Sequence, residues 1–164
     1  YGDAELGEQL RTLLLSMTVA TPSFQHLMAA NALHAEVPLN FRGELAVNDD
    51  EEIDLKKFGS RIFVDAGRIL ALTAGTRSVN TVERLLQAGE TIGLPAQEQA
   101  GFVAAFSHIL RLRLAQQSAA PDASVTMGSG LKPSMLHDLD RAILRESLKQ
   151  ARRLQQRLKL NYSL

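Results

Sequence analysis

The sequence predicts a mainly α-helical protein, a helical bundle with a small β-hairpin near residues 39–57. Three observations carry this prediction. Apolar residues recur at intervals of three and four along most of the chain, which is the spacing of one helix face. Proline and glycine interrupt that spacing at the points where one helix would end and the next begin. Between residues 38 and 58 the spacing changes to two short apolar runs around an acidic segment, which is typical of a hairpin.

Six segments have helical spacing, and most carry a start or stop signal. Thr21-Pro22 separates the first two, because proline suits the first turn of a helix. Gly75 is a stop signal after the third, Asn80 with Glu83 has the form of a capping box before the fourth, and Ser134 is placed to cap the sixth. The predicted helices cover residues 5–20, 22–32, 61–74, 80–88 and 97–118, followed by a loop over 119–130 and a last helix from 134.

The hairpin prediction rests on two short arms around the polar run 48–52. In the second arm, Ile53 and Leu55 alternate with Asp54 and Lys56. Side chains of a strand point alternately to its two faces, so the acid and the base would share one face. That face would meet a nucleotide, the metal of a nucleotide, or solvent.

The composition narrows the class of protein. With 164 residues and 45% hydrophobic content, one compact domain or a domain with an appendage is expected. The 18 basic and 18 acidic residues cancel, so net charge gives no support to nucleic-acid or membrane binding. The lack of cysteine fits a reducing, cytoplasmic location, and no apolar run reaches the roughly 18 residues of a membrane span. Because the chain starts at Tyr1 without an initiator methionine, we expect it to be cut from a longer protein.

Arg113 is the most unusual residue of the helical pattern. It falls inside the apolar stripe that Phe102 and Phe106 begin on the fifth predicted helix. A buried guanidinium without a partner costs several kcal/mol, so the fold has to supply one. Arg113 would pair with an internal acid such as Asp65 or Glu83, extend its charged end into water, or bind a ligand.

Other polar residues allow both structural and functional interpretations. Asp65 and Arg68 lie three residues apart on the third predicted helix, so they would form a surface ion pair or line a cleft. Arg84 lies in the first turn of its helix, where the helix dipole disfavours a cation, and this hints at another reason for its presence. The four histidines lack the spacing of metal ligands, and the chain has no Ser-His-Asp signature or phosphate-binding glycine loop.

Six short motifs follow one another from Pro38 to the C-terminus. They are Pro38-Leu39-Asn40-Phe41; Ile53-Asp54-Leu55-Lys56; the run Asp65 to Leu72; Asn80 to Leu85; Ala105-Phe106 with Leu110 to Arg113 and Gln116-Gln117; and Leu131 to Leu136 with Leu148-Lys149 and Leu154-Gln155. In order and spacing this series resembles the substrate-binding domain family of bacterial nucleotidyltransferases.

The resemblance implies a domain order. Residues 1–37 would be the trailing helices of a nucleotidyltransferase domain, or the linker from it, and residues 38–164 would be the helical substrate-binding domain. Paired aspartates of the transferase domain would hold magnesium, so this chain would carry no cofactor and would be inactive alone. Its partners would be that N-terminal domain, a nucleotide or protein acceptor, and a second copy in a homodimer.

The resemblance also implies a substrate site that holds nucleotide or acceptor by charge-assisted hydrogen bonds. The matched polar residues are Asp54, Lys56, Asp65, Arg68, Thr81, Glu83, Arg84, Arg113 and Gln117. The alternative is a regulatory or dimerisation module that couples upstream nucleotide-sensing domains to the transferase. Related helical ribonucleases use an arginine followed four to six residues later by a histidine, a pair that this chain lacks.

Overall fold

The computed structural model describes residues 2–119 and 130–164, with only the backbone of residue 119. These residues form six α-helices, which confirms the mainly helical prediction. None of the described helices combines the length and the hydrophobicity of a membrane-spanning segment. Most of the loop predicted over 119–130 lies outside the described residues. The elements are α1 (Ala4–Val19), α2 (Pro22–Ala32), a π-helical turn (Lys56–Ser60), α3 (Arg61–Thr73), α4 (Thr81–Thr91), α5 (Ala96–Ala119), a 3-10 turn (Pro133–Met135) and α6 (Asp138–Tyr162).

The core is built around α3. This helix packs against α1, α2, α4, α6 and the π-helical turn, while α5 packs along α6. Phe63 of α3 is fully buried and contacts Phe106 of α5, with ring centroids 5.8 Å apart. Burying a large apolar side chain contributes about 1.5–3 kcal/mol. The core therefore fixes where the charged residues of α3 and α5 can lie.

The prediction of a small β-hairpin near residues 39–57 is wrong. Two isolated bridges occur instead, one between Leu39 and Leu45 and one between Ile53 and Leu131. Ile53 thus pairs with a residue far along the chain and not with the first predicted arm. The residues after Leu55 turn at once into the π-helical turn.

Local turn chemistry explains why the two arms do not pair. The Oδ1 atom of Asn40 accepts hydrogen bonds from the backbone N–H groups two and four residues later, at 2.9 and 3.0 Å. Asn48 does the same, at 3.1 and 2.7 Å. Each asparagine therefore closes its own tight loop, which competes with strand pairing.

The sixth helix starts later than predicted. α6 begins at Asp138, and Ser134 lies in the 3-10 turn, so Ser134 is not its cap. Arg141 determines this start, because Nε donates to the carbonyl of Pro133 at 3.0 Å and Nη2 donates to the carbonyl of Leu136 at 2.9 Å. These bonds tie the 3-10 turn to the first turn of α6.

The apolar residues of α1 face outward. Leu6, Leu10, Leu13, Leu14 and Met17 are exposed, and we call this surface the α1 stripe. On the other side of α1, Thr18 is buried and Arg11 is half-buried. Monomeric proteins rarely expose apolar patches larger than about a few hundred Å² unless the patch binds something. The α1 stripe is therefore a candidate interaction surface.

An ion pair joins α5 to α6. Arg157 donates from Nε and Nη2 to the two carboxylate oxygens of Glu98, at 2.8 and 2.7 Å. These hydrogen bonds lower the pKa of Glu98 and raise the pKa of Arg157. A carboxyl group whose pKa is lowered by folding stabilises the protein above its ordinary pKa, and this contribution is lost as the pH falls.

Replacing Glu98 with glutamine should lower the free energy of unfolding by about 1 kcal/mol or less at neutral pH, because solvent screens a half-exposed pair. The difference from the wild type should shrink as the pH falls below the ordinary glutamate pKa of 4.5. Urea unfolding at neutral pH and at about pH 3 measures both effects. Glu90→Gln is the control, since Glu90 is exposed and has no ion pair in the described residues. A difference that stays the same in acid would contradict this role of the ion pair.

Candidate functional site

The packing of α4 on α3 gathers five of the nine predicted site residues. Gly67 of α3 lies close to α4, since a Cβ atom there would be 3.5 Å from the Thr81 carbonyl oxygen and 3.5 Å from Leu85 Cγ. The first turn of α4 is thereby held beside the polar face of α3. The gathered residues are Asp65, Arg68, Thr81, Glu83 and Arg84.

The start of α4 follows the sequence prediction in part. Asn80 caps the helix, accepting hydrogen bonds from the backbone N–H groups of Val82 at 2.9 Å and Glu83 at 3.3 Å. The carboxylate of Glu83 accepts its hydrogen bond from the Ser78 hydroxyl. The cap is therefore confirmed, while the return bond of a capping box is replaced by one to Ser78.

Arg84 is a half-buried cation. Its Nε donates to the Ser78 carbonyl at 2.8 Å, and no carboxylate lies within ion-pair distance of it in the described part of the chain. Burial lowers the pKa of Arg84, and the positive charges of Arg68 and Arg11 lower this pKa further. Positive charge is thus concentrated where α1, α3 and α4 meet.

Two of the arginines in this region come from segments without predicted site residues. Arg11 of α1 lies 3.3 Å from Glu8 and donates to the backbone carbonyl of Arg77 at 3.3 Å. Arg77 precedes α4 and forms an ion pair with Glu8 and a hydrogen bond of 3.3 Å with Thr12. We call Arg11, Arg68, Arg77 and Arg84 the arginine cluster.

The acids of this region are already engaged. Asp65 lies 3.1 Å from Arg61 and 3.6 Å from Arg68. Glu8 pairs with two members of the cluster, and Glu83 accepts from a hydroxyl group. The arginine cluster and Arg61 carry five positive charges, against the three negative charges of Asp65, Glu8 and Glu83. The region therefore has an excess of two positive charges.

Arg113 lies at a different place, the junction of the π-helical turn and α3. Its Nη1 donates to the Ser60 hydroxyl at 2.9 Å. Asp65 and Glu83, the two acids proposed as partners from the sequence, bind other groups. Ser60 is buried and directly precedes α3, so Arg113 holds the junction by a hydrogen bond to a neutral group.

The remaining predicted residues are more dispersed. Asp54 caps the π-helical turn, because its Oδ1 accepts from the backbone N–H groups of Lys56 and Lys57, both at 2.9 Å. The prediction that Asp54 and Lys56 share a strand face is therefore wrong. Lys56 is exposed on the turn, and Gln117 is exposed near the end of α5.

A cavity of about 470 Å³ lies where α2, α3 and the end of α6 meet. Three of its polar side chains, Gln25, Thr73 and Tyr162, bind one another. The hydroxyl of Thr73 contacts Tyr162 at 2.5 Å and donates to Gln25 at 3.2 Å. Burial raises the pKa of Tyr162. Because these groups are paired, the cavity offers a ligand fewer free donors than the arginine cluster does.

The hydrogen bond between Arg113 and Ser60 can be measured with Ser60→Ala, Arg113→Ala and the double variant. We expect a coupling free energy of about 1 kcal/mol, because each single change breaks the same bond. Urea unfolding of the four proteins gives this value. Arg145→Ala combined with Ser60→Ala is the control, since Arg145 is exposed and has no ion pair among the described residues. Additive effects of the Ser60 and Arg113 changes would disprove the contact.

The chain matches a family model described as "Putative nucleotidyltransferase substrate binding domain" over residues 22–162. The match runs from the first residue of α2 to the last residue of α6, so α1 lies outside it. No curated protein and no solved structure matches the chain.

Proposed function

The chain belongs to the nucleotidyltransferase substrate-binding domain family, and from this membership we propose that it holds a nucleotide or an acceptor beside a catalytic domain of the same protein. The observation that supports the proposal best is the excess of positive charge in the arginine cluster. Arginine binds phosphate and carboxylate groups through paired, charge-assisted hydrogen bonds. The cluster is therefore suited to an anionic substrate.

Catalysis would belong to the partner domain. Nucleotidyl transfer needs magnesium, and among residues 2–119 and 130–164 no group of three or more His, Asp or Glu side chains could hold a metal ion. In this proposal the transferase domain supplies the metal, and this chain supplies binding and orientation. We assign the protein to the cytoplasm, because a chain without cysteine suits a reducing compartment.

In a protein that carries this chain with its transferase domain, Arg84→Ala should raise the apparent KM about tenfold or more, or abolish turnover. The reason is that a lost charge-assisted bond costs about 1.5–3 kcal/mol. Arg113→Ala tests the second predicted position in the same assay. Steady-state kinetics give KM and kcat, and thermal unfolding gives stability.

Arg145→Ala is the matched control for both variants, because it removes an exposed arginine on α6 that has no partner in the described residues. Unchanged kinetics together with lowered stability would make Arg84 or Arg113 a structural residue. For Arg113 the bond to Ser60 provides the physical basis of such a result.

The α1 stripe supports the proposed partner. α1 directly precedes the segment matched by the family, and it turns five large apolar residues outward. Its opposite face is fixed to the rest of the fold by the contacts of Glu8 and Thr12 with Arg77. We propose that the transferase domain covers the α1 stripe and thereby lies next to the arginine cluster.

The double change Leu10→Ser and Leu13→Ser tests this docking. Both residues are exposed, so the stability of the 164-residue chain should change little. In the protein with the transferase domain, the same change should lower the temperature of unfolding and raise KM. The reason is that serine removes apolar surface that the docked domain would bury. Leu160→Ser is the control, since Leu160 is 73% exposed on α6. Equal behaviour of both variants would refute the docking surface.

One feature favours a regulatory or dimerisation module as the second candidate. Leu6, Leu10, Leu13 and Met17 are spaced by four, three and four residues, which is the spacing of a coiled-coil seam. Two copies could pair through the α1 stripe. A wild-type protein that is dimeric with the transferase domain present and becomes monomeric on the Leu10 and Leu13 changes would support this alternative.

A further inference from the structure

We infer that Arg11, Arg68 and Arg84 bind a chain of two or more linked phosphate groups. The inference rests on the proposed function, because it names the chemical group that a substrate presents to the arginine cluster. The cluster and the neighbouring Arg61 together exceed the carboxylates of Glu8, Asp65 and Glu83 by two positive charges. A single carboxylate ligand would neutralise only half of that excess. Linked phosphates neutralise all of it, and their extended chain can contact arginines from three different helices, α1, α3 and α4, at once.

Arg84 is the central residue of this site. It is half-buried, its Nε is occupied by the Ser78 carbonyl, and its terminal N–H groups have no carboxylate partner in the described residues. It also lies in the first turn of α4, where the helix dipole disfavours a cation. A cation in such a place lowers stability unless an anion binds to it.

Arg68 provides the second cation. Among the described residues, the acid that pairs with Arg68 is Asp65 at 3.6 Å, and that carboxylate has a closer partner in Arg61 at 3.1 Å. Arg68 is exposed, so its side chain can turn toward a ligand with little loss of contact. Arg68 follows Gly67, where a Cβ atom would be 3.5 Å from the Thr81 carbonyl oxygen, so Arg68 lies beside the first turn of α4. In keeping with this position, the positive charge of Arg68 lowers the pKa of Arg84.

Arg11 provides the third cation and extends the site beyond the family-matched segment. It lies on α1, where Glu8 and the carbonyl of Arg77 hold it beside the start of α4. The backbone N–H groups at the N-terminus of α4 are already capped by Asn80. Side chains, and not the end of the helix, therefore form the site.

Sodium tripolyphosphate is the probe for this site, applied to the 164-residue chain by calorimetry and thermal unfolding. Binding should raise the unfolding temperature and should weaken as salt is added. Arg84→Gln and Arg68→Gln should each weaken binding roughly tenfold or more, while Arg145→Gln binds like the wild type. Equal weakening by all three variants, or no binding to the wild type, would overturn the inference.

Stability without ligand distinguishes a binding role from a structural role. Arg84→Gln removes a repelled cation but also the hydrogen bond to the Ser78 carbonyl. Because these two effects oppose each other, the unliganded variant should unfold close to the wild-type temperature. A marked drop would show that Arg84 is structural and would contradict the inference. Arg84→Lys, which keeps the charge but loses the planar guanidinium, should bind more tightly than Arg84→Gln and less tightly than the wild type.

A parallel titration with ATP separates the two sources of linked phosphates. Tighter binding of ATP than of tripolyphosphate would assign the site to the nucleotide, whereas equal or weaker binding would assign it to a phosphorylated acceptor or to pyrophosphate. The test of the proposed function is independent of this titration. If tripolyphosphate fails to bind but Arg84→Ala still raises KM in the protein with its transferase domain, the phosphate assignment fails and the substrate-binding role stands.

Discussion

Burial of the apolar face of α3 is the constraint on which the rest of the structure depends. Phe63 and Ala66 of this face are fully buried, and α1, α2, α4 and α6 all contact the helix. None of these helices can shift without exposing that face to water, which is the main cost of unfolding. Because the core takes one face of α3, the charged residues Asp65 and Arg68 have to lie on the other. The core thereby determines which charges meet the start of α4.

The arginine cluster lowers the stability of the folded protein, and the packing of the helices does not require it. The helix dipole would stabilise an acidic side chain at position 84. An acid there would also remove the repulsion of Arg84 by Arg68 and Arg11. Folded proteins have small net stabilities of about 5–15 kcal/mol, so a repelled and half-buried cation is a significant burden. Departures from local rules of this kind concentrate at functional sites. This is the physical reason for placing the site here and not in the cavity beside Tyr162, where Gln25, Thr73 and Tyr162 already bind one another.

The sequence predicts the helices well because their signals are local. The six segments with helical spacing and the Asn80 cap depend on residues within a few positions of each other. The hairpin prediction is wrong because Asn40 and Asn48 each close a short loop. In addition, Ile53 pairs with Leu131, and a contact over this sequence distance leaves no local pattern. The start of α6 was misplaced for a similar reason, since Arg141 reaches back to the 3-10 turn.

The candidate site was predictable for single residues but not for their grouping. Arg84 and Arg113 stand out by their positions on helices, yet the partner of Arg113 lies 53 residues away and is a serine. Arg11 was missed because its contact with Arg77 spans 66 residues. That contact also gives α1 two roles. One face of α1 contributes Arg11 to the cluster, and the opposite face presents the α1 stripe. A domain docked on the stripe would fix α1, and α1 would fix Arg11, so docking and anion binding would strengthen each other by the same free energy.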